Sequence, residues 1–283
     1  MHRGARPRPR PVPDRAHNLA EGAPLITFPF DVTVYAGLVA LFFGHAWLAR
    51  SVTDSEQKHT LYFFAGLLVL WLALETPIDT LSDHYLDSVH MLQHVLLAFV
   101  APPLLLLGVS PTMAARIVGI PGLRPLLEPI PAQVIAATVM IAWHVPALYD
   151  ATLHNEGLHV VEHLMFIASG VFLYWPIIDA TSSTARWHMS RGANLVYMLL
   201  ATIPQDGVAL ALLFSRVPFY EFYTHVPRLI AGFTPVIDQT IAGAVLMIFG
   251  KATLAVAALV VFFRWFGEER AEDRGIESAV RVP

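Results

Sequence analysis

The chain has 283 residues, of which 55 % are hydrophobic and 14 % charged, with a net charge of −4 at neutral pH and no cysteine. That balance excludes a soluble globular domain of this size, which would carry more charge and break its apolar stretches with polar positions. The missing cysteine excludes disulfides and thiolate metal ligands.

Residues 1–29, beginning MHRGARPRPRP, read as a disordered Pro/Arg-rich tail. A cleaved signal peptide is not expected, because the first apolar run is already of membrane length. Spans are predicted at 32–50, 60–77, 88–109, 131–149, 158–177, 192–214 and 238–264, within a transmembrane domain of residues 30–265. A charged tail follows over 266–283. Pro131, His144 and Pro146 interrupt the fourth span, yet counting six would leave a long apolar stretch without a place. The predicted fold class is all-α, a polytopic membrane protein with a seven-transmembrane-helix bundle. A β-barrel is excluded because Leu67–Leu74, Val95–Leu107 and Ala242–Phe263 are apolar at successive rather than alternate positions.

Lysine and arginine concentrate in the 50–59, 110–130 and 178–191 loops and the C-terminus, whereas the opposite loops hold Arg216 and Arg228. This asymmetry predicts a cytoplasmic C-terminus and an outer N-terminus. The loops are allowed to outvote the arginines of the N-terminal tail.

The unusual polar residues then fall on the outer side. Asp79, Asp83, His84, Tyr85 and Asp87 occupy the connection after helix two. His90 and His94, in HMLQH, open helix three, and His159, Glu162 and His163, in HVVEH, open helix five. At a spacing of four, both imidazoles of a pair project from one helix face, so each pair can offer two ligands to one ion. Imidazole suits copper, zinc or iron; the alternative is that these histidines bridge polar groups at the membrane interface. Asp87 and Glu162 are the nearest carboxylates to complete the site or orient the rings. His144, in WHVPALYD, stands beside the helix-breaking Pro146 and reads either as a further ligand or as a helix-end histidine bonded to a carbonyl.

His45 lies toward the cytoplasmic half of helix one, suited to a separate polar contact. Scattered methionines read as core filling. Pro204, Gln205 and Asp206 in IPQDGVA read as a packing or hydrogen-bonding break in helix six. Lys251, in helix seven, lacks the helix-three aspartate that a retinal Schiff base needs as counterion and is expected to snorkel or pair inside the bundle. There is no phosphate-binding glycine loop, HExxH signature or nucleophile elbow.

DSVHMLQHVLLAFVAPPLLLLG, AWHVPALYDATL with LHVVEHLMFIASGVFLYWP, NLVYMLLATIPQD and DQTIAGAVLM resemble the bacterial cytochrome c oxidase assembly family of the CtaG, caa-oxidase type, over roughly residues 30–265. The resemblance implies a non-enzymatic, multi-pass protein of the bacterial inner membrane that matures a haem-copper oxidase. It implies copper bound through His90, His94, His159, His163 and His144, with His84, Asp79, Asp83, Asp87, Glu162 and Asp238 as accessory positions. The expected partners are an oxidase subunit, a periplasmic copper donor and membrane lipids, with no nucleic acid. Docking on the oxidase is expected through apolar faces bearing Phe42, Phe43, Phe63 and Phe64. The competing readings are a histidine-ligated haem or metal redox enzyme and a metal-free assembly scaffold.

Overall fold

The computed structural model describes residues 27–50 and 60–280, with side chains as far as residue 267. The expectations for residues 1–26 and for the loop carrying Lys58 lie outside the described residues. The described chain is helical throughout: α1 Val32–Ala49, α2 Thr60–Leu74, α3 Pro77–His84, α4 Asp87–Val95, a π segment Leu96–Val100, α5 Ala101–Leu107, α6 Pro111–Ile117, α7 Leu123–Leu126, α8 Pro129–Trp143, α9 Pro146–His154, α10 Glu156–Tyr174, α11 Asp179–Ser182, α12 Arg191–Phe214, α13 Phe222–His225 and α14 Pro235–Val280. Five helices are long and apolar enough to cross a membrane: α1, the Asp87–Leu107 helix, α10, α12 and the Pro235–Gly267 part of α14. The count rises to seven if the bent pairs α2–α3 and α8–α9 each form one span.

Both bends have local causes. Thr76 caps α3, its hydroxyl accepting from the Ile78 amide at 3.3 Å, and Pro77 starts the new helix, giving a 43° turn. Pro146 restricts Val145 to extended backbone (φ −66°, ψ 125°), and α9 leaves α8 at 72°. The connection expected to carry Asp79, Asp83 and His84 is therefore itself helical.

The Asp87–Leu107 helix is the core of the bundle: 67 % of its apolar window is buried, against 6 % for α1. It packs against α2, α3, α10 and α14. Pro102 and Pro103 have no amide hydrogen to give to Ala98 and Phe99. The backbone ahead of them widens into the π turn, where the Ala101 amide reaches back five residues to the Leu96 carbonyl. Gly170 of α10 sits against this turn, and a Cβ added there would stand 2.2 Å from the Ala98 oxygen. Only glycine lets the two backbones approach so closely.

The start of α4 has no cap of its own, because Leu86 offers no acceptor. Asp238 of α14 supplies one, its carboxylate accepting from the Asp87 amide at 2.8 Å and the Ser88 amide at 3.1 Å. Farther along, Gln205 of α12 donates to the Leu246 carbonyl at 2.6 Å, and Lys251 pairs with Asp206 at 3.0 Å. The IPQDGVA segment thus joins α12 to α14, and Lys251 has its partner inside the bundle. His45 donates from Nε2 to the Gly108 carbonyl at 3.0 Å and stacks on Phe63. One expectation needs correction: Phe63 is buried in the core, while Phe42, Phe43 and Phe64 face outward. An outward aromatic face therefore cannot include Phe63, whose position in α2 is taken up by His45 and the close approach of Gly108.

Candidate metal centre

Four histidines from two helices converge at the end of the bundle opposite Gly108. The α4 spacing brings His90 and His94 to a ring separation of 4.4 Å, and the α10 spacing brings His159 and His163 to 4.1 Å. Across the helix interface, His90 lies 5.4 Å from His159 and 6.4 Å from His163, and His94 lies 6.2 Å from His163. Among the described residues, two groups have ligand atoms within 4.8 Å of one another: His90, His94 and His163, and Asp83, His90 and His159. His90 belongs to both.

Hydrogen bonds decide which ring nitrogens face inward. Tyr223 of α13 donates its hydroxyl hydrogen to the Ser82 carbonyl at 2.6 Å, so the 2.9 Å contact with His90 has the imidazole Nδ1–H as donor. Burial, reinforced by the Asp87 carboxylate, pushes the Tyr223 phenol well above its ordinary pKa and keeps this arrangement neutral. His90 Nε2 is left as a buried lone pair with no hydrogen-bond partner. His144 repeats the pattern, donating from Nδ1 to the Met140 carbonyl at 2.7 Å and leaving Nε2 without a partner. His163 Nε2 is also without a partner, as are both nitrogens of His94, one of which carries the hydrogen of the neutral ring and the other the lone pair; the His94 ring lies 4.3 Å from that of Phe166. A buried polar atom without a partner costs about 1–3 kcal/mol, and the clustering of several such imidazole nitrogens makes a group capable of coordinating a metal ion.

The remaining candidates separate by role. Asp83 stands 3.4 Å from His159 Nδ1, and Glu162 stands 3.6 Å from His94 Nε2. Asp79 accepts from the Gln93 amide at 2.9 Å, Asp87 accepts from the Tyr149 hydroxyl at 2.9 Å, and Asp238 caps α4. His84 contacts the Thr80 carbonyl at 3.1 Å through Nδ1. Asp79, Asp87, His84 and Asp238 fall outside both ligand groups. His144 also falls outside them, with its ring 5.5 Å from that of His94.

Sequence reasoning missed the tyrosines. Tyr149 and Tyr220 stack at 3.7 Å, Tyr149 holds Asp87, and Tyr223 orients His90 across 133 positions of chain. The pair of tyrosines in YEFYTH was the available signal; nothing local ties it to HMLQH.

Comparison with known proteins agrees with this architecture. A family model described as "Cytochrome c oxidase caa3 assembly factor (Caa3_CtaG)" matches residues 40–268. The chain matches no curated protein and no solved structure. The family match spans most of the chain and every helix that contributes a histidine to the cluster, and the protein belongs to the caa3-type cytochrome c oxidase assembly factors, non-catalytic multi-pass proteins of the bacterial inner membrane.

Proposed function

We propose that this assembly factor receives copper on the outer side of the membrane and passes it to the copper centre of its oxidase. The observation carrying the reading is the convergence of His90, His94 and His163, with buried nitrogen lone pairs that no protein donor satisfies. An all-imidazole donor set in a chain without thiolates fits copper, the tightest-binding divalent ion of the first transition row.

The two overlapping groups form successive stations. Asp83 and His159 have side-chain exposures of 21 % and 11 %, whereas His94 and Glu162 are fully buried. Copper enters at Asp83, His159 and His90, and moves inward to His90, His94 and His163 with His90 as the shared ligand. Glu162 offsets the charge of the ion at the inner station. Asp83, which accepts from the Ser82 hydroxyl and lies 3.4 Å from His159 Nδ1 at the partly exposed edge of the cluster, is the entry carboxylate.

Three protein ligands at the inner station leave a coordination position for ligand exchange with an acceptor. This reading takes the bent pairs as spans, giving seven, and turns the histidine end toward the periplasm because the arginine-rich loops lie at the opposite end.

Copper analysis of the detergent-purified chain tests the proposal. Wild type is expected to hold near-stoichiometric copper, and His90→Ala/His94→Ala and His159→Ala/His163→Ala should each lose it. Asp83→Asn should slow loading while leaving the final content unchanged. Equal copper in wild type and both double variants would remove the proposal and leave a metal-free scaffold.

A further inference from the structure

Between Asp238 and Arg264, α14 has a single ionisable residue, Lys251, midway between the two. The stretch on either side is about 20 Å of helix, more than half of a hydrocarbon layer, which puts Lys251 near the mid-plane of the membrane and beyond the reach of snorkelling. Asp206 of α12 pairs with it at 3.0 Å, and the two together are neutral. The pair is not enclosed: the side chains of Lys251 and Asp206 are 44 % and 24 % exposed. Charges at this depth ordinarily face a bundle interior or a water-filled cavity. Here the surrounding surface is apolar, with Ile203 and Leu210 a turn to either side of Asp206 and Ile248 a turn before Lys251, all three exposed.

We propose that this face of α12 and α14 is the interface between two copies of the chain, closed by reciprocal lysine–aspartate pairs. Two copies inserted in the same direction are related by a two-fold axis along the membrane normal. That rotation preserves depth and exchanges left with right. A lysine and an aspartate standing side by side at one depth therefore meet the second copy's aspartate and lysine, and the two neutral pairs close into a ring of four alternating charges. Lipid chains offer these groups no partner. A helix of a different protein would have to bring its own matched cation and anion, whereas a second copy carries both at the required depth by symmetry.

Gly207 adds to the argument. It is exposed beside Asp206, and a Cβ added to it meets nothing within 4 Å, so packing within the chain does not explain a residue that weakens a helix interior. Between membrane helices a glycine lets backbones approach closely. The face shares no residue with the histidine cluster.

Cross-linking of the full chain in native membranes tests the interface, and a chain without cysteine gives single-cysteine variants no competing thiol. Ile203→Cys treated with a short bismaleimide should yield a covalent dimer of the chain, and Leu164→Cys, on the exposed face of α10, should not. Energy transfer between labelled copies on dilution in detergent measures the association. Lys251→Leu/Asp206→Leu, which leaves no unpaired charge, and Gly207→Leu, which has room within the chain, should each weaken it about tenfold with unchanged helical content. The exchanged pair Lys251→Asp/Asp206→Lys preserves the symmetry and should associate like wild type. A monomeric wild type, association untouched by the paired leucines, or Ile203→Cys joined to another polypeptide in place of a second copy would overturn the proposal. The readout is association and not copper, so the failure of either reading leaves the other standing.

Discussion

The two halves of the central helix solve opposite problems. Before the π turn, α4 buries His90, Gln93 and His94 completely, and their surroundings come from distant chain: Tyr223 bonds His90, Asp79 and the Ala73 carbonyl accept from Gln93, and Asp238 caps the helix. After the turn, α5 buries alanine, proline and leucine, which ask nothing of hydrogen bonding and are held by backbone approach, as at Gly170. The comparison shows where specificity resides. A polar interior needs particular partners at fixed angles, whereas an apolar interior needs shape alone. Damage at the apolar end should therefore lower stability without touching metal chemistry, and damage at the polar end should do the converse.

The largest effect is expected at Gly170. In Gly170→Val the new Cβ meets the Ala98 oxygen and Pro102 Cγ at 2.2 and 2.5 Å, and neither is the end of a flexible side chain. We expect a loss of about 3 kcal/mol or more, read as a lower thermal midpoint in detergent. Protein that does fold should hold wild-type copper; selective copper loss at unchanged stability would break the division between the two ends.

Tyr223→Phe probes the other end. It removes the hydroxyl that holds His90 Nδ1–H while keeping the ring, and should weaken copper binding about 10- to 100-fold in competition with a chelator. The thermal midpoint should move little in comparison. An unchanged copper affinity would mean that His90 needs no partner to present Nε2.

The smallest expected effect is at Gln205, which sits between the two regimes. Its side chain lies so close to Gly250 that a Cβ there would meet Gln205 Nε2 at 2.1 Å, and it donates to the Leu246 carbonyl. Gln205→Leu should cost about 0.6–1.7 kcal/mol, the range for hydrogen bonds between membrane helices, measured by reversible unfolding in mixed micelles. A larger loss would place this contact with the polar network of α4.

Much of the helical layout was legible in the sequence because uninterrupted apolar runs in a membrane leave the backbone one way to satisfy itself. Pro146 announced its break, and the spacing of four announced the histidine pairs. The segment Asp79–His84 was not recognised as helical, since its few apolar residues carry no membrane signal; Thr76 and Pro77 were the local cue. Phe63 was not separable from its outward neighbours because every position of α2 is apolar, so periodicity gives no face. Asp238 carried the signature of an acidic accessory residue, and only its 150-residue reach to the Ser88 amide identifies it as a helix cap.

By itself the sequence determined the class of molecule, its all-helical membrane character, the break at Pro146 and the one-faced presentation of each histidine pair, all consequences of local sterics and of backbone hydrogen bonding in an apolar solvent. Tertiary structure decided that the pairs meet, that Tyr223 turns His90 Nε2 inward, that Asp79, Asp87 and Asp238 are occupied with packing bonds, and that Asp83 remains beside His159. Those outcomes depend on distances between side chains far apart in sequence, and hydrogen bonds of about 3 Å are made or lost by rotations between helices that no local pattern encodes.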